Sequence, residues 1–236
     1  MALSFRSLNP DEIKARNIFL QKELRDNNCP YAIEQEYPLV LGSQNFQYSY
    51  GLFEKSEPHR ILAHANLLPR NIINHCGSIV DRIGLIGNVT SHPNYRNQGL
   101  IRDLLENLTE LALKQNLSKL LLWSDLTSLY KKLDFVPFGL ENRFLFTQKS
   151  FSEKKDLSSF LITPGDKFPS QLIPQILKIR YKTKLTVERS QIECSTLVKI
   201  PGTYIISSIK RGQMESFGII GKGYDFMNRG EIIPKP

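Results

Sequence analysis

The stretch from Val89 to Leu105, VTSHPNYRNQGLIRDLL, constrains the fold of this chain more tightly than any other. It begins as the end of a strand-like run and passes through His92, Pro93 and Asn94. It then takes up an apolar pattern at Leu100, Ile101, Leu104, Leu105 and Leu108 with helical spacing. A strand is therefore predicted to run straight into a helix across the short basic turn Arg96-Asn97-Gln98-Gly99. Gly99 lets another molecule approach the backbone closely. The first turn of the helix leaves amide N–H groups without intrahelical partners, at the positive end of its dipole. Such a turn suits a pyrophosphate.

Composition narrows the partners. The 236 residues, 41% of them hydrophobic, suffice for a packed core in one large domain or two small ones. Thirty-one basic against twenty-three acidic side chains give a net charge of +8, which favours a nucleotide, a phosphorylated cofactor or nucleic acid. The basic residues are spread out and do not alternate with aromatics, which disfavours a nucleic-acid groove. The amino-terminal residues mix charges without an apolar core, unlike a secretory signal. No apolar run approaches the roughly 18 residues of a membrane span, so a cytoplasmic protein without a membrane partner is expected. Cys29, Cys76 and Cys194 lack C-x-x-C spacing, and His59, His64, His75 and His92 lack metal-ligand spacing; reduced thiols and no metal are expected.

Taken in order, the chain predicts a helix opening at Asn9-Pro10-Asp11-Glu12, with an apolar stripe of Ile13, Phe19, Leu20 and Leu24 and an end near residues 26–28. Three strand-like segments follow, at 46–54, 60–72 and 78–89, punctuated as an antiparallel meander. Gly84 and Gly87 inside the third mark a bulge or a close backbone approach, or else ease its twist. A helix over 99–116 and a buried strand over 118–124 complete a parallel crossover. Beyond them lie a short helix at 127–133, a strand from Phe135 and another at 140–147. The charge-mixed segment 149–156 resembles a domain boundary. Helices at 173–181 and 188–200 then precede a hairpin turning at Lys210-Arg211-Gly212-Gln213. Gly221-Lys222-Gly223 has the composition of a phosphate nest, but without a helix behind it a turn is the better reading.

Two of these stretches carry a family resemblance. HPNYRNQGLIRDLL resembles the coenzyme A signature R/Q-x-x-G-x-G/A of the GCN5-related N-acetyltransferases, with Arg96 and Gly99 in place and Ile101 departing at the last position. SLYKKLDFVPFG resembles the family's carboxy-terminal signature, in which a tyrosine, here Tyr130, lies five residues before the phenylalanine of a Gly-Phe pair; Asp134 replaces that glycine. The two motifs occur in the family's order. The resemblance implies an α/β fold with a mixed, mostly antiparallel sheet flanked by helices over residues 1–150. Residues 151–236 would form a partial second lobe, like the opening half of the second domain in tandem members.

It further implies acetyl-coenzyme A as donor and an amine of a small molecule or peptide as acceptor, attacking the thioester directly. By resemblance, Asn88, Val89 and Thr90 lie along the pantetheine arm. Arg96, Asn97, Gln98, Gly99, Leu100 and Ile101 surround the pyrophosphate, and Tyr130 protonates the departing sulfur. A phenol, with an ordinary pKa of roughly 10, is protonated at neutral pH and suited to that task. The general base stays open among Ser124, Asp125, His92 and a held water. A coenzyme A-binding regulatory module without turnover, or a basic nucleic-acid or protein-binding domain sharing the fold, are the alternatives. Incompletely buried strands in the second region would favour pairing with another subunit.

Overall fold

Asn9 and Glu12 open the first helix as their spacing predicts. The Asn9 amide donates to Glu12 Oε2 at 2.8 Å, and Pro10 starts a 3-10 turn leading into α1, Ile13–Leu24. The computed structural model describes residues 2–139 and 160–224, and it begins one element earlier, with strand β1, Leu3–Ser7. LSFRS is short and largely half-buried, so it carries little alternation of its own, and its pairing to the next strand defines it. Helix α1 ends at Leu24, ahead of the expected 26–28, because Arg25 turns extended and places its guanidinium on Glu36 at 2.6 Å. Two short helices, α2 (Ile33–Glu36) and α3 (Pro38–Leu41), follow.

Strands β2 (Ser49–Glu54), β3 (Glu57–Asn74) and β4 (Ile79–Ser91) form the antiparallel meander. Residues Phe46–Tyr48, expected as the start of β2, are instead a 3-10 turn. Helix α4, Leu100–Lys114, then crosses over to β5, Lys119–Leu121, which lies parallel to β4. The sheet order is β1-β2-β3-β4-β5, with β7, Leu185–Val187, added antiparallel to the far end of β3. Among the described residues, one parallel pair in an otherwise antiparallel sheet gives the expected mixed α/β class.

Helix α4 buries Leu100, Leu104, Leu105, Leu108 and Ala112 against Leu52, Ala63, Ala65, Leu67 and Ile86 of the sheet. Each such leucine contributes about 1.5–3 kcal/mol, so this one face fixes the helix on the strands. Helix α5, Thr127–Lys131, places Tyr130 in the same core. The opposite side of the sheet meets α1, with Leu8, Phe53 and Ile61 packed there beside Phe19.

After β6, Phe160–Pro164, the chain forms α6 (Ile173–Arg180), β7, α7 (Gln191–Val198), β8 (Tyr204–Lys210) and β9 (Gln213–Ile220). The predicted hairpin turns through Arg211 at φ +50 and Gly212 at φ +76, the left-handed pair that matches strand twist. Helix α7 starts at Gln191 and not at Glu188 because Ser190 caps it: its Oγ accepts from the Glu193 amide at 3.1 Å and its own amide donates to Glu193 Oε2 at 2.9 Å. The antiparallel order β6-β8-β9 repeats β1-β2-β3, in each case with helices between the first two strands.

No strand forms at 135–138 among the described residues: Asp134, at φ +63, turns the chain, and Pro137 has no N–H to give a ladder. The expected strand at 140–147 and the charged segment at 149–156 lie outside the described residues. No helix among the described residues is long and apolar enough to cross a membrane.

The two β4 glycines separate in their roles. A Cβ on Gly84 would lie 2.7 Å from both Leu67 Cδ1 and Leu120 Cδ2, whereas one on Gly87 would meet nothing within 4 Å. Gly84→Val should therefore lower stability by about 1–3 kcal/mol in urea unfolding. A loss below about 0.5 kcal/mol would mean that the surrounding leucines yield freely.

Candidate active site at the β4 to α4 turn

Strand β4 is paired on both edges for only part of its length. Its partner β5 matches it from Ile83 to Leu85, while pairing with β3 continues to Ser91. From Ile86 onward, among the described residues, the β5-side edge of β4 has no neighbouring strand. Over the same span β4 carries a bulge: His64 pairs Thr90 and Asn66 pairs Gly87, so β4 has one residue more than β3. Asn88 sits in that bulge at φ +50, a conformation asparagine tolerates better than most residues.

A buried polar layer lies beneath the bulge. His64 Nδ1 is 3.1 Å from the Asn88 carbonyl oxygen. That oxygen can only accept, so the proton is assigned to Nδ1 and the Nε2 lone pair is left without a partner. Burial holds the imidazole pKa down to about 3, against the pull of the Asn88 carbonyl and with help from Arg16, so the ring is neutral at physiological pH. Asn66 Nδ2 donates to Tyr48 O at 3.1 Å and to Ser49 Oγ at 2.9 Å. Arg16 of α1, with no exposed surface, donates to Ser49 Oγ at 2.9 Å and to Leu41 O at 2.5 Å. Burial lowers Arg16 to about 10, which leaves it cationic near neutrality.

The turn is held by its neighbours and open at its centre. Residues Pro93–Tyr95 form a 3-10 turn in which the Asn94 amide donates to His92 Nδ1 at 3.3 Å. Arg96 reaches back to Glu23 of α1 at 2.8 Å. Asn97 (φ +62) and Gly99 (φ +82) are left-handed, and a Cβ on Gly99 would meet nothing within 4 Å. The amides of Leu100, Ile101 and Arg102 donate to no acceptor among the described residues. These backbone donors stand at the start of a 15-residue helix without an acceptor among the described residues, an arrangement suited to anions.

Tyr130 belongs to the core cluster that contains Leu100 and against which Val89 and Ile101 pack. It is 9% exposed and meets the edge of Phe135 at 5.8 Å. Burial raises its phenol above the ordinary value, opposed by hydrogen bonding to Ser124. Asn88, Val89 and Thr90 lie on the half-paired part of β4, and Asn97 and Gln98 are exposed in the turn. Of the three residues considered as base, Ser124 serves the phenol and the Leu126 amide, His92 stacks on Phe19 at 6.4 Å, and Asp125 is exposed.

No family model matches the sequence, and no curated protein matches it significantly. Among solved structures, a conserved protein of unknown function from Enterococcus faecalis V583, described as a probable N-acyltransferase, superimposes on 93% of this chain and 55% of its own, with a TM-score of 0.60 and 13% identity. The fold is that of the GCN5-related N-acetyltransferases. Two shorter chains align over about three-fifths of this one. A GCN5-related N-acetyltransferase from Ralstonia eutropha JMP134 covers 61% of this chain and 99% of its own at 17% identity and a TM-score of 0.46. A predicted acetyltransferase from Clostridium acetobutylicum, solved with acetyl-coenzyme A, covers 60% and 96% at 20% identity and 0.44.

Within this acetyltransferase fold, the residues that sequence reading missed are Arg16, Ser49, His64 and Asn66. The signal was present in ILAHANLL, where His64 and Asn66 interrupt an otherwise apolar run on a central strand and so require buried partners. Because the folded pKa of His64 lies near 3 and its ordinary value is 6.5, the unfolded chain binds an extra proton between those limits. Stability should therefore fall as the pH is lowered from about 6.5 towards 3. Urea unfolding of the wild type and of His64→Gln across that window checks this: the wild type should lose more stability than the variant, and parallel curves would contradict it.

Proposed function

We propose that this chain is an N-acetyltransferase that moves the acetyl group of acetyl-coenzyme A to an amine of a small molecule or peptide by direct attack on the thioester. The observation that carries the reading is the edge of β4 beyond Leu85, unpaired among the described residues, leading directly into the amides of Leu100, Ile101 and Arg102, which have no acceptor among them. The first offers backbone groups to an extended amide-bearing arm, and the second offers donors and a positive dipole to a pyrophosphate. The donor supplies an activated acyl group, and the chain supplies position, which accounts for a large share of such rate enhancements.

In this reading Asn88, Val89 and Thr90 hold the pantetheine arm, and the amide at Val89, aimed by the bulge, donates to the thioester carbonyl. Arg96 to Ile101 surround the diphosphate, with Gly99 giving the approach room that any side chain would close. Tyr130 gives its proton to the departing sulfur, and its raised pKa keeps that proton in place above neutrality. Residues 1–150 form the catalytic domain, and residues 151–236 form a lobe like the first half of a second one. Two things support that division: the order β6-β8-β9 repeats β1-β2-β3, and the Enterococcus chain aligns over both parts.

Thiol release from acetyl-coenzyme A in the presence of an amine panel tests the proposal. Wild-type protein should release coenzyme A with at least one amine. Tyr130→Phe, which keeps the packed ring, should lower kcat by about 10²–10⁴-fold with KM for the donor nearly unchanged. The wild-type rate should show no tyrosine-linked decline below pH 10. Donor binding without release on any amine would instead identify a binding module, and wild-type turnover by Tyr130→Phe would remove the assigned acid.

A further inference from the structure

Where the second lobe docks on the end of the first sheet, the chain collects more positive charge than the nearby carboxylates neutralise. Arg70 lies on β3, Arg82 on β4, and Arg189 just before α7; together they line a cavity of about 350 Å³. Two glutamates share it, and each is already bonded to a neighbour in the lining. Glu193 receives Arg70 Nη2 at 2.5 Å and the Ser190 amide at 2.9 Å. Glu188 receives Asn71 Nδ2 at 2.8 Å.

Of the arginines that line the cavity, Arg70 Nε and Arg189 Nη1 are buried without a hydrogen-bond partner among the described residues, and Arg82 is exposed. An unsatisfied buried donor is costly, and more so on a charged group. The backbone at Arg189 is held by Tyr181, whose hydroxyl donates to the Arg189 carbonyl at 2.7 Å, so the side chain leaves from a fixed point. Burial lowers the Arg189 pKa, and Arg70 and Arg180 lower it further, against the pull of Glu193. Lys222 stands within electrostatic reach of Arg189 and is lowered by burial and by that neighbour. It sits at φ +98 between two left-handed glycines, a conformation a lysine keeps only when the surroundings impose it. Those surroundings are tight: a Cβ on Gly221 would lie 1.9 Å from Gly202 O, and the Gly223 amide donates to Pro201 O at 2.8 Å.

We propose that the cavity between β3, β4 and the start of α7 binds a small oxyanion of charge near −2, as free phosphate or as the phosphate group of a small metabolite. Arginine forks match phosphate oxygens in pairs. A cavity of about 350 Å³ lies near the lower end of the range for ligand sites and fits a compact ligand better than a nucleotide cofactor. The site stands apart from the α4 turn, because Arg82 lies near the beginning of β4 and the turn follows its end at Ser91. It does not rest on the transferase reading.

Isothermal titration calorimetry of the full chain with inorganic phosphate and with glycerol 1-phosphate, at fixed ionic strength, tests it. Saturable binding of either ligand, not reproduced by chloride, is expected, and the tighter of the two identifies the source. Arg189→Gln and Arg82→Gln should each weaken that binding about tenfold or more. Without phosphate, Arg189→Gln should melt at or above the wild-type temperature, because it relieves repulsion and breaks no ion pair. Wild-type heats no larger than those for chloride, or equal affinities in the wild type and both variants, would overturn the proposal; the latter would place the anion at the α4 turn.

Discussion

A strand that is half-paired on one edge is the constraint on which this structure depends. Backbone N–H and C=O groups in the middle of a sheet need partners, and among the described residues β4 has strand partners on both sides only between Ile83 and Leu85. Beyond that point β5 ends and β4 continues to Ser91, paired among the described residues with β3 alone. Gly84 and Gly87 divide the two regimes. The first is packed under Leu67 and Leu120 where β4 and β5 touch, and the second faces open space where they have parted.

The bulge at Asn88 makes that geometry rigid. One extra residue would leave the strand free to slip, were its carbonyl not met by the buried His64. His64 lies in the same buried polar layer as Arg16, Ser49 and Asn66, and the hydrogen bonds among the last three link α1 to the strands. Buried polar groups joined in this way are costly to part, which favours one arrangement of helix and sheet. Arg96 adds a second link from the turn to α1 through Glu23. The cradle is therefore positioned from the α1 side by polar contacts and from the α4 side by leucines.

Elements whose signals are local could be read from the chain. The stripe Leu100, Leu104, Leu105 and Leu108 gave α4, and the Arg211-Gly212 turn gave the β8–β9 hairpin, because each pattern depends on neighbours in sequence. Strand β1 and strand β7 could not be read, because their pairing partners, β2 and the end of β3, lie far along the chain. In the site, the glycine turn was legible for the same local reason. The buried Arg16 was not: beside an apolar stripe of Ile13, Phe19, Leu20 and Leu24 an arginine reads as solvent-facing, and only the strand polar groups at Ser49 and Asn66 explain its place. The arginine cluster was equally hidden, since it joins residues from β3, β4 and the approach to α7.

Hydrogen–deuterium exchange with and without saturating coenzyme A tests the central claim most directly, because it reads the same amides that the geometry leaves open. Slowed exchange along Ile86 to Ser91 and at Leu100, Ile101 and Arg102, with the rest of α4 unchanged, is the predicted result. Unchanged exchange at these amides, or protection appearing only elsewhere in the chain, would contradict the account.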